Sequence, residues 1–162
     1  MSRNFFAITQ IKFVVTLDVT AAFEKLSNSD TAVQFMRDHR EIAGVKNYEL
    51  LDGDWDRIGC RRRIEMTNGT RLIETIQSIE HGRHFTYYLA EFTSPGQSST
   101  STIKSGYSQC RFQQNKDGST TVKWRFALQP HKPILLPATW IYMKTAHRNF
   151  MKASVKNMQR SL

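Results

Sequence analysis

Cysteine is scarce in this 162-residue chain. Only Cys60 and Cys110 occur, and neither lies in a CxxC or Cys–His spacing. A structural zinc site takes four ligands, so that class is excluded. Two isolated thiols in a domain of this size are expected to stay reduced. No run approaches the roughly 20 apolar residues that a membrane-spanning helix needs. The short apolar run at residues 5–8 is interrupted by Thr9, Gln10 and Lys12, unlike a signal peptide, so a cytoplasmic location is expected. There is no Ser-His-Asp set and no group of metal-ligating residues, so no catalytic residue, metal or cofactor is assigned. No repeat or linker divides the chain. One domain over residues 1–162 is expected, with residues 1–10 as a candidate flexible extension.

Hydrophobic residues make up 40% of the chain and charged residues 23%, ordinary values for a globular protein. A chain of this length buries roughly 70% of its unfolded surface, enough for a core without staples. The 23 Lys and Arg outnumber the 14 acids, for a formal charge of +9. Such a surplus attracts nucleic acid, acidic lipid headgroups or an anionic ligand, but it also occurs in proteins that touch none of these.

Alternation at Phe13, Val15, Leu17 and Val19 predicts a half-buried strand over residues 11–19. Two short helices follow: residues 21–26, capped by Thr20, and residues 31–39, capped by Ser29 or Asp30. Six strand segments then run over 45–51, 57–66, 71–79, 84–92, 103–113 and 120–128. Asp52-Gly53, Asn68-Gly69, His81-Gly82 and Asp117-Gly118 mark four of the turns. Turns this short require antiparallel pairing. The Ser-, Gly- and Pro-rich stretch 93–101 reads as a mobile loop. Pro137 suits the first turn of a long helix to about Gln159, with an apolar stripe of Trp140, Met143, Phe150, Met151, Val155, Met158 and Leu162. His147 and Ser154 fall within that stripe.

The order strand, two short helices, six strands, long helix is an α+β helix-grip arrangement: a curved antiparallel sheet of about seven strands round the C-terminal helix. Motifs sharpen it: Gly53-Asp54-Trp55, Gly59-Cys60-Arg61-Arg62-Arg63, Asn68-Gly69-Thr70 with Glu74, Phe85-Thr86-Tyr87-Tyr88, and the strand from Gly118 to Phe126. In these features, from about Ile11 to Gln159, the sequence resembles the START-like (Bet v1-like, SRPBCC) superfamily and its polyketide cyclase/dehydrase-type lipid-transport branch. That resemblance implies a cavity between sheet and helix for an apolar guest; members bind lipids, sterols, quinones, polyketides and plant hormones, and a few are cyclases or aromatases. Fold alone does not choose among these.

Pairing Met66 with Arg71 across Asn68-Gly69 sets Arg62 opposite Thr75, Ile64 opposite Ile73, both candidate ligand-binding residues, and Arg63 opposite Glu74. Arg63–Glu74 then reads as a surface pair. Arg62 falls on the apolar face, where a guanidinium needs an acid, a ligand or the cavity mouth; the plainer reading is that it snorkels to the sheet edge. His147 and Ser154 are candidate polar anchors for the guest, against satisfaction within the core. Trp124, Phe126, Trp140, Met143, Phe150 and Met151 are cavity wall or simple core, which use the same residue types. Tyr87 or Tyr88, depending on a bulge near His81-Gly82, and Tyr107 are candidate donors into the cavity. Trp55 either closes one end or packs there.

Three functions compete. The leading one is a carrier or sensor that binds a hydrophobic small molecule (lipid, quinone or polyketide-like). The second is a cyclase, aromatase or hydrolase using His147 with Tyr87 or Tyr88. The third is a docking module in which Lys144, Arg148, Lys152, Lys156 and Arg160 meet an anionic membrane or a partner; a solvated helix face is their plainer reading. Nucleic acid is disfavoured, because the aromatic residues sit on apolar faces.

Overall fold

The computed structural model describes residues 5–95 and 102–162. Seven strands, β1 (Ala7–Val15), β2 (Val45–Leu50), β3 (Arg61–Met66), β4 (Arg71–Glu80), β5 (His84–Thr93), β6 (Ile103–Gln114) and β7 (Thr120–Pro130), form one antiparallel sheet. Its order is β1-β7-β6-β5-β4-β3-β2, so every strand from β2 to β7 pairs with its neighbour in sequence and β1 closes onto β7. Short turns dictate that order. This is the helix-grip architecture expected from the sequence. The tip of the predicted loop, residues 96–101, and residues 1–4 lie outside the described residues.

β1 begins four residues before the sequence reading placed it, so residues 7–10 belong to the sheet rather than to an extension. Its inward row is Ala7, Thr9, Ile11 and Val15, and small and polar side chains at the start of that row mute the hydropathy signal. Residues 16–19 are not strand, and Asp18 rather than Thr20 caps α1 (Val19–Ser27), its carboxylate accepting from the Ala21 amide at 2.9 Å. Asn28 caps α2 (Ser29–Phe35) in the same way, accepting from Asp30.

The C-terminal helix runs over residues 136–159 in three parts: α3 (Leu136–Tyr142), a π-helical turn (Met143–His147) and α4 (Arg148–Gln159). Asn157 donates to the Phe35 carbonyl (3.1 Å) and Gln159 to that of Val14 (2.9 Å), tying the helix to α2 and β1. The π turn, with its wider i→i+5 ring, delays the buried stripe. Buried positions fall at 139, 143, 147, 150, 151 and 154, whereas straight α-helical phasing from α4 leads to 140.

The β3–β4 hairpin also departs from the expected register. Met66 accepts from Gly69 (2.9 Å) and donates to Thr70 (2.8 Å), leaving a three-residue loop in which Gly69 has φ +82°. This is a turn closed by a left-handed residue, a position that favours glycine. The pairing therefore shifts by one: Arg62 faces Glu74, Arg63 faces Ile73 and Ile64 faces Leu72. A one-residue slip turns the whole strand over. Leu72, Glu74 and Ile76 thus point inward on the face where Ile73 had been expected.

Candidate functional site

Between the sheet and the helix lie two cavities. The larger, about 530 Å³, is walled by Leu72, Leu89, Ile103 and Leu128 from the sheet and by Thr139, Tyr142, His147 and Phe150 from the helix. The smaller, about 100 Å³, lies among Phe35, Arg62, Tyr87, Trp124 and Ser154. Met36, Val45, Ile64, Glu74 and Phe126 line both and form a waist between them. A volume of 530 Å³ is within the range of small-molecule sites, whereas 100 Å³ holds only a few waters.

Arg62 is only 4% exposed. Its guanidinium donates to Glu74 Oε2 from Nε (2.7 Å) and approaches the same oxygen from Nη2 (2.6 Å), and its Nη1 donates to Ser29 Oγ (3.0 Å). Trp55 stacks on it at 4.3 Å from the ring centroid and Tyr87 at 5.1 Å. Trp55 Nε1 in turn donates to the Tyr87 hydroxyl (3.4 Å). The cluster uses the cation's donors on an acid, a hydroxyl and two π faces, and it pins α2 to β3. Burial holds the Tyr87 phenol well above its ordinary range, while Arg62 acts in the opposite sense. Arg62 does find an acid, and it is Glu74, the residue that the shifted register carries inside; Arg63 instead pairs with Glu49 on the surface.

His147 is one of the polar residues of the larger cavity, beside Glu74, Thr102, Thr139 and Tyr142. Its ring packs on Phe126 at 4.4 Å between centroids, and its Nδ1 lies 3.5 Å from the Tyr142 hydroxyl. Its Nε2 is buried beyond the reach of water, does not open onto the cavity in this conformation, and has no hydrogen-bond partner. Desolvation lowers its pKa to about 4, so the ring is neutral at physiological pH. Buried polar atoms are almost always satisfied, which makes this unpaired nitrogen, on a residue that lines the cavity, the exception in the site. Ser154 differs: its hydroxyl donates to the Phe150 carbonyl (2.9 Å), within its own helix.

Of the residues singled out from sequence, Arg62, Ile64, Tyr87, Trp124, Phe126, His147, Phe150 and Ser154 line one cavity or both. Met143 and Met151 are fully buried in the core and line neither. Trp55 packs behind Arg62 rather than facing a cavity. Three positions are corrected. Ile73 lies on the outer face because of the register shift. Tyr107 pairs with Tyr88 on the outer face, while the bulge after Ile76 turns Tyr87 inward. Trp140 is 53% exposed because the π turn rotates α3. Tyr87 and His147 line different cavities, as do Arg62 and His147, so neither pair converges on one substrate position. Sequence reasoning missed Glu74, Leu72, Leu89, Thr139 and Tyr142; correct hairpin register would have revealed the first two.

Among the described residues no group of His, Cys, Asp or Glu could hold a metal ion, and no helix is long and apolar enough to cross a membrane. Cys60 and Cys110 are buried and unpaired.

Solved structures share this architecture. Ara h 8.0201 superposes with a TM-score of 0.65 at 11% identity, over 93% of this chain and 95% of its own. XoxI from Bacillus cereus gives 0.68 at 12% identity, over 96% and 94%. Major latex-like protein 151 from Panax ginseng gives 0.67 at 10%, over 96% and 97%. No family model and no curated protein matches the sequence. At these identities the likeness establishes the Bet v1-like helix-grip fold.

Proposed function

We propose that the chain binds an uncharged, largely apolar small molecule in the larger cavity, as a carrier or sensor. The observation that carries this reading is an apolar cavity of about 530 Å³ whose wall includes His147, a residue with an unpaired buried nitrogen. Apolar walls favour the guest by about 25 cal/mol for each Å² it removes from water. A small turn of the His147 ring would bring its unpaired nitrogen to the guest, and one well-placed polar group on an apolar wall fixes the pose. Glu74 is the charged side chain in the wall, and Arg62 already neutralises it. A guest with a buried free charge would find no counter-ion there, so a hydroxyl, carbonyl or quinone oxygen is the expected polar feature. Lipids, quinones and polyketide-like molecules supply it, consistent with the resemblance noted from sequence.

The test is titration with a neutral fluorescent apolar probe, followed by displacement with a panel of sterols, quinones, diacylglycerols and polyketide-like phenols. The expected result is 1:1 probe binding that Leu72→Trp, which fills the cavity, weakens at least about tenfold (about 1.4 kcal/mol). A folded protein that binds no probe, or binds it equally well after Leu72→Trp, refutes the reading.

A further inference from the structure

Charge is distributed unevenly along this chain. After Asp117 there is no acid, yet eight of the 23 cations follow it; before Gly118, 15 cations face 14 acids. The formal surplus therefore belongs almost wholly to β7, the connection after it and the C-terminal helix. The same region carries the most exposed large apolar side chains of its length. Ile134 is 83% exposed, Ile141 59% and Trp140 53%.

Ile134, Pro137 and Ile141 are all exposed and follow one another at spacings of three and four, which sets them along one outward side of the 3₁₀ turn (Pro133–Leu135) and α3. Leu135, Ala138, Thr139 and Tyr142 line the larger cavity. α3 contains no charged residue. A largely apolar helix belongs in a core or in lipid, and of this one only Thr139 is buried. Lys132 and Lys144 are exposed at its two ends, and Lys144 Nζ sits 5.7 Å from the Trp140 ring centroid.

From this placement we infer that segment 132–144 is a docking surface for anionic lipid bilayers. Ile134, Trp140 and Ile141 enter the boundary between headgroups and acyl chains, and Lys132 and Lys144 engage lipid phosphates. Tryptophan prefers that boundary, and lysine reaches back to the phosphates from it. Arg148, Lys152, Lys156 and Arg160 add long-range attraction, falling off within a Debye length. A polyanion such as nucleic acid would use the cations and leave the isoleucines in water, so the apolar knobs decide for lipid. The outward side of α3 would meet the bilayer while its inward side faces the guest. The inference does not depend on the guest's identity, and the cavity titration above contains no lipid surface.

The test is co-sedimentation of the full chain with phosphatidylcholine vesicles, with and without phosphatidylserine. Binding is expected only to the phosphatidylserine vesicles and to weaken as salt rises. Lys132→Glu/Lys144→Glu should lower the partition constant at least about fivefold per site. Ile134→Ser/Ile141→Ser should lower it about tenfold or more, with the melting temperature unchanged because both side chains are exposed. Brominated lipid should quench the wild type and spare Trp140→Phe. Salt-sensitive binding that ignores the isoleucine pair, tighter binding to an oligonucleotide than to vesicles, or no vesicle binding at low salt overturns the proposal.

Discussion

Removing Arg62 should be among the most damaging single substitutions in this protein, and removing Glu74 with it should repair most of the harm. Arg62→Met deletes contacts of 2.7 and 2.6 Å to Glu74 and one of 3.0 Å to Ser29, and leaves a carboxylate facing two apolar cavities. Breaking a buried pair by removing one partner costs about 3–5 kcal/mol, because the remaining charge has no compensation. Loss of the stack on Trp55 adds about 0.5–2 kcal/mol. With a urea slope near the top of the ordinary range, roughly 2–3 kcal/mol per M, the midpoint should fall by roughly 2 M. Arg62→Met/Glu74→Leu removes both charges, and replacing a buried pair by packed apolar groups is often neutral or stabilising by about 1–4 kcal/mol. Its midpoint should return to within about 0.5 M of wild type. Urea unfolding followed by fluorescence, in a double-mutant cycle, reads both numbers. A single variant that loses less than about 1 kcal/mol, as for an exposed pair, refutes the reasoning. So does a double variant no better than the single. The double variant should also still bind the apolar probe, since Arg62 is committed to structure; loss of probe binding from a folded double variant would make it a ligand anchor.

His147 sets a pH dependence of known sign. Its folded pKa of about 4 lies below the unfolded value near 6.5, so the unfolded chain binds more protons between them. Stability is therefore full above about pH 6.5 and falls by up to ~3 kcal/mol as pH drops towards 4. His147→Leu should flatten that slope in urea titrations at pH 4.5–7.5, and an unchanged slope argues against it. The same variant should bind an oxygen-bearing guest about 1–2 kcal/mol more weakly while keeping a pure hydrocarbon guest, as isothermal calorimetry can establish. Gly69→Ala should cost about 1–2 kcal/mol by thermal melting, because φ is +82° and the added Cβ would meet Pro95 Cγ at 2.6 Å.

The sheet was readable because its strands are punctuated by Gly-containing turns and because β7 alternates cleanly at Val122, Trp124, Phe126 and Leu128. What could not be read were three shifts of phase. Asn68-Gly69 suits a two-residue hairpin, yet the chain closes over three residues, and that single residue exchanges Ile73 for Glu74 inside. The bulge after Ile76 settles Tyr87 against Tyr88 by a backbone detail that no side chain announces. The π turn moves Trp140 out, because periodicity counted back from α4 assumes 3.6 residues per turn throughout. The cavity itself had no signature: Leu72 and Leu89 face empty space, Met143 and Met151 face packed neighbours, and their chemistry is the same.

If a guest binds as proposed, the waist between the two cavities would make the site a ruler for chain length. Val45 and Ile64 are stiff at χ1, Phe126 is a rigid ring and Glu74 is tethered to Arg62. Met36, unbranched and with three rotatable bonds, is the one stop that can swing aside without moving the backbone. A compact guest would rest wholly on the His147 side, whereas a longer tail would have to lift the methionine latch and thread towards Trp124. The width of that latch, rather than the polarity of the walls, would then decide which members of a homologous lipid series the protein accepts.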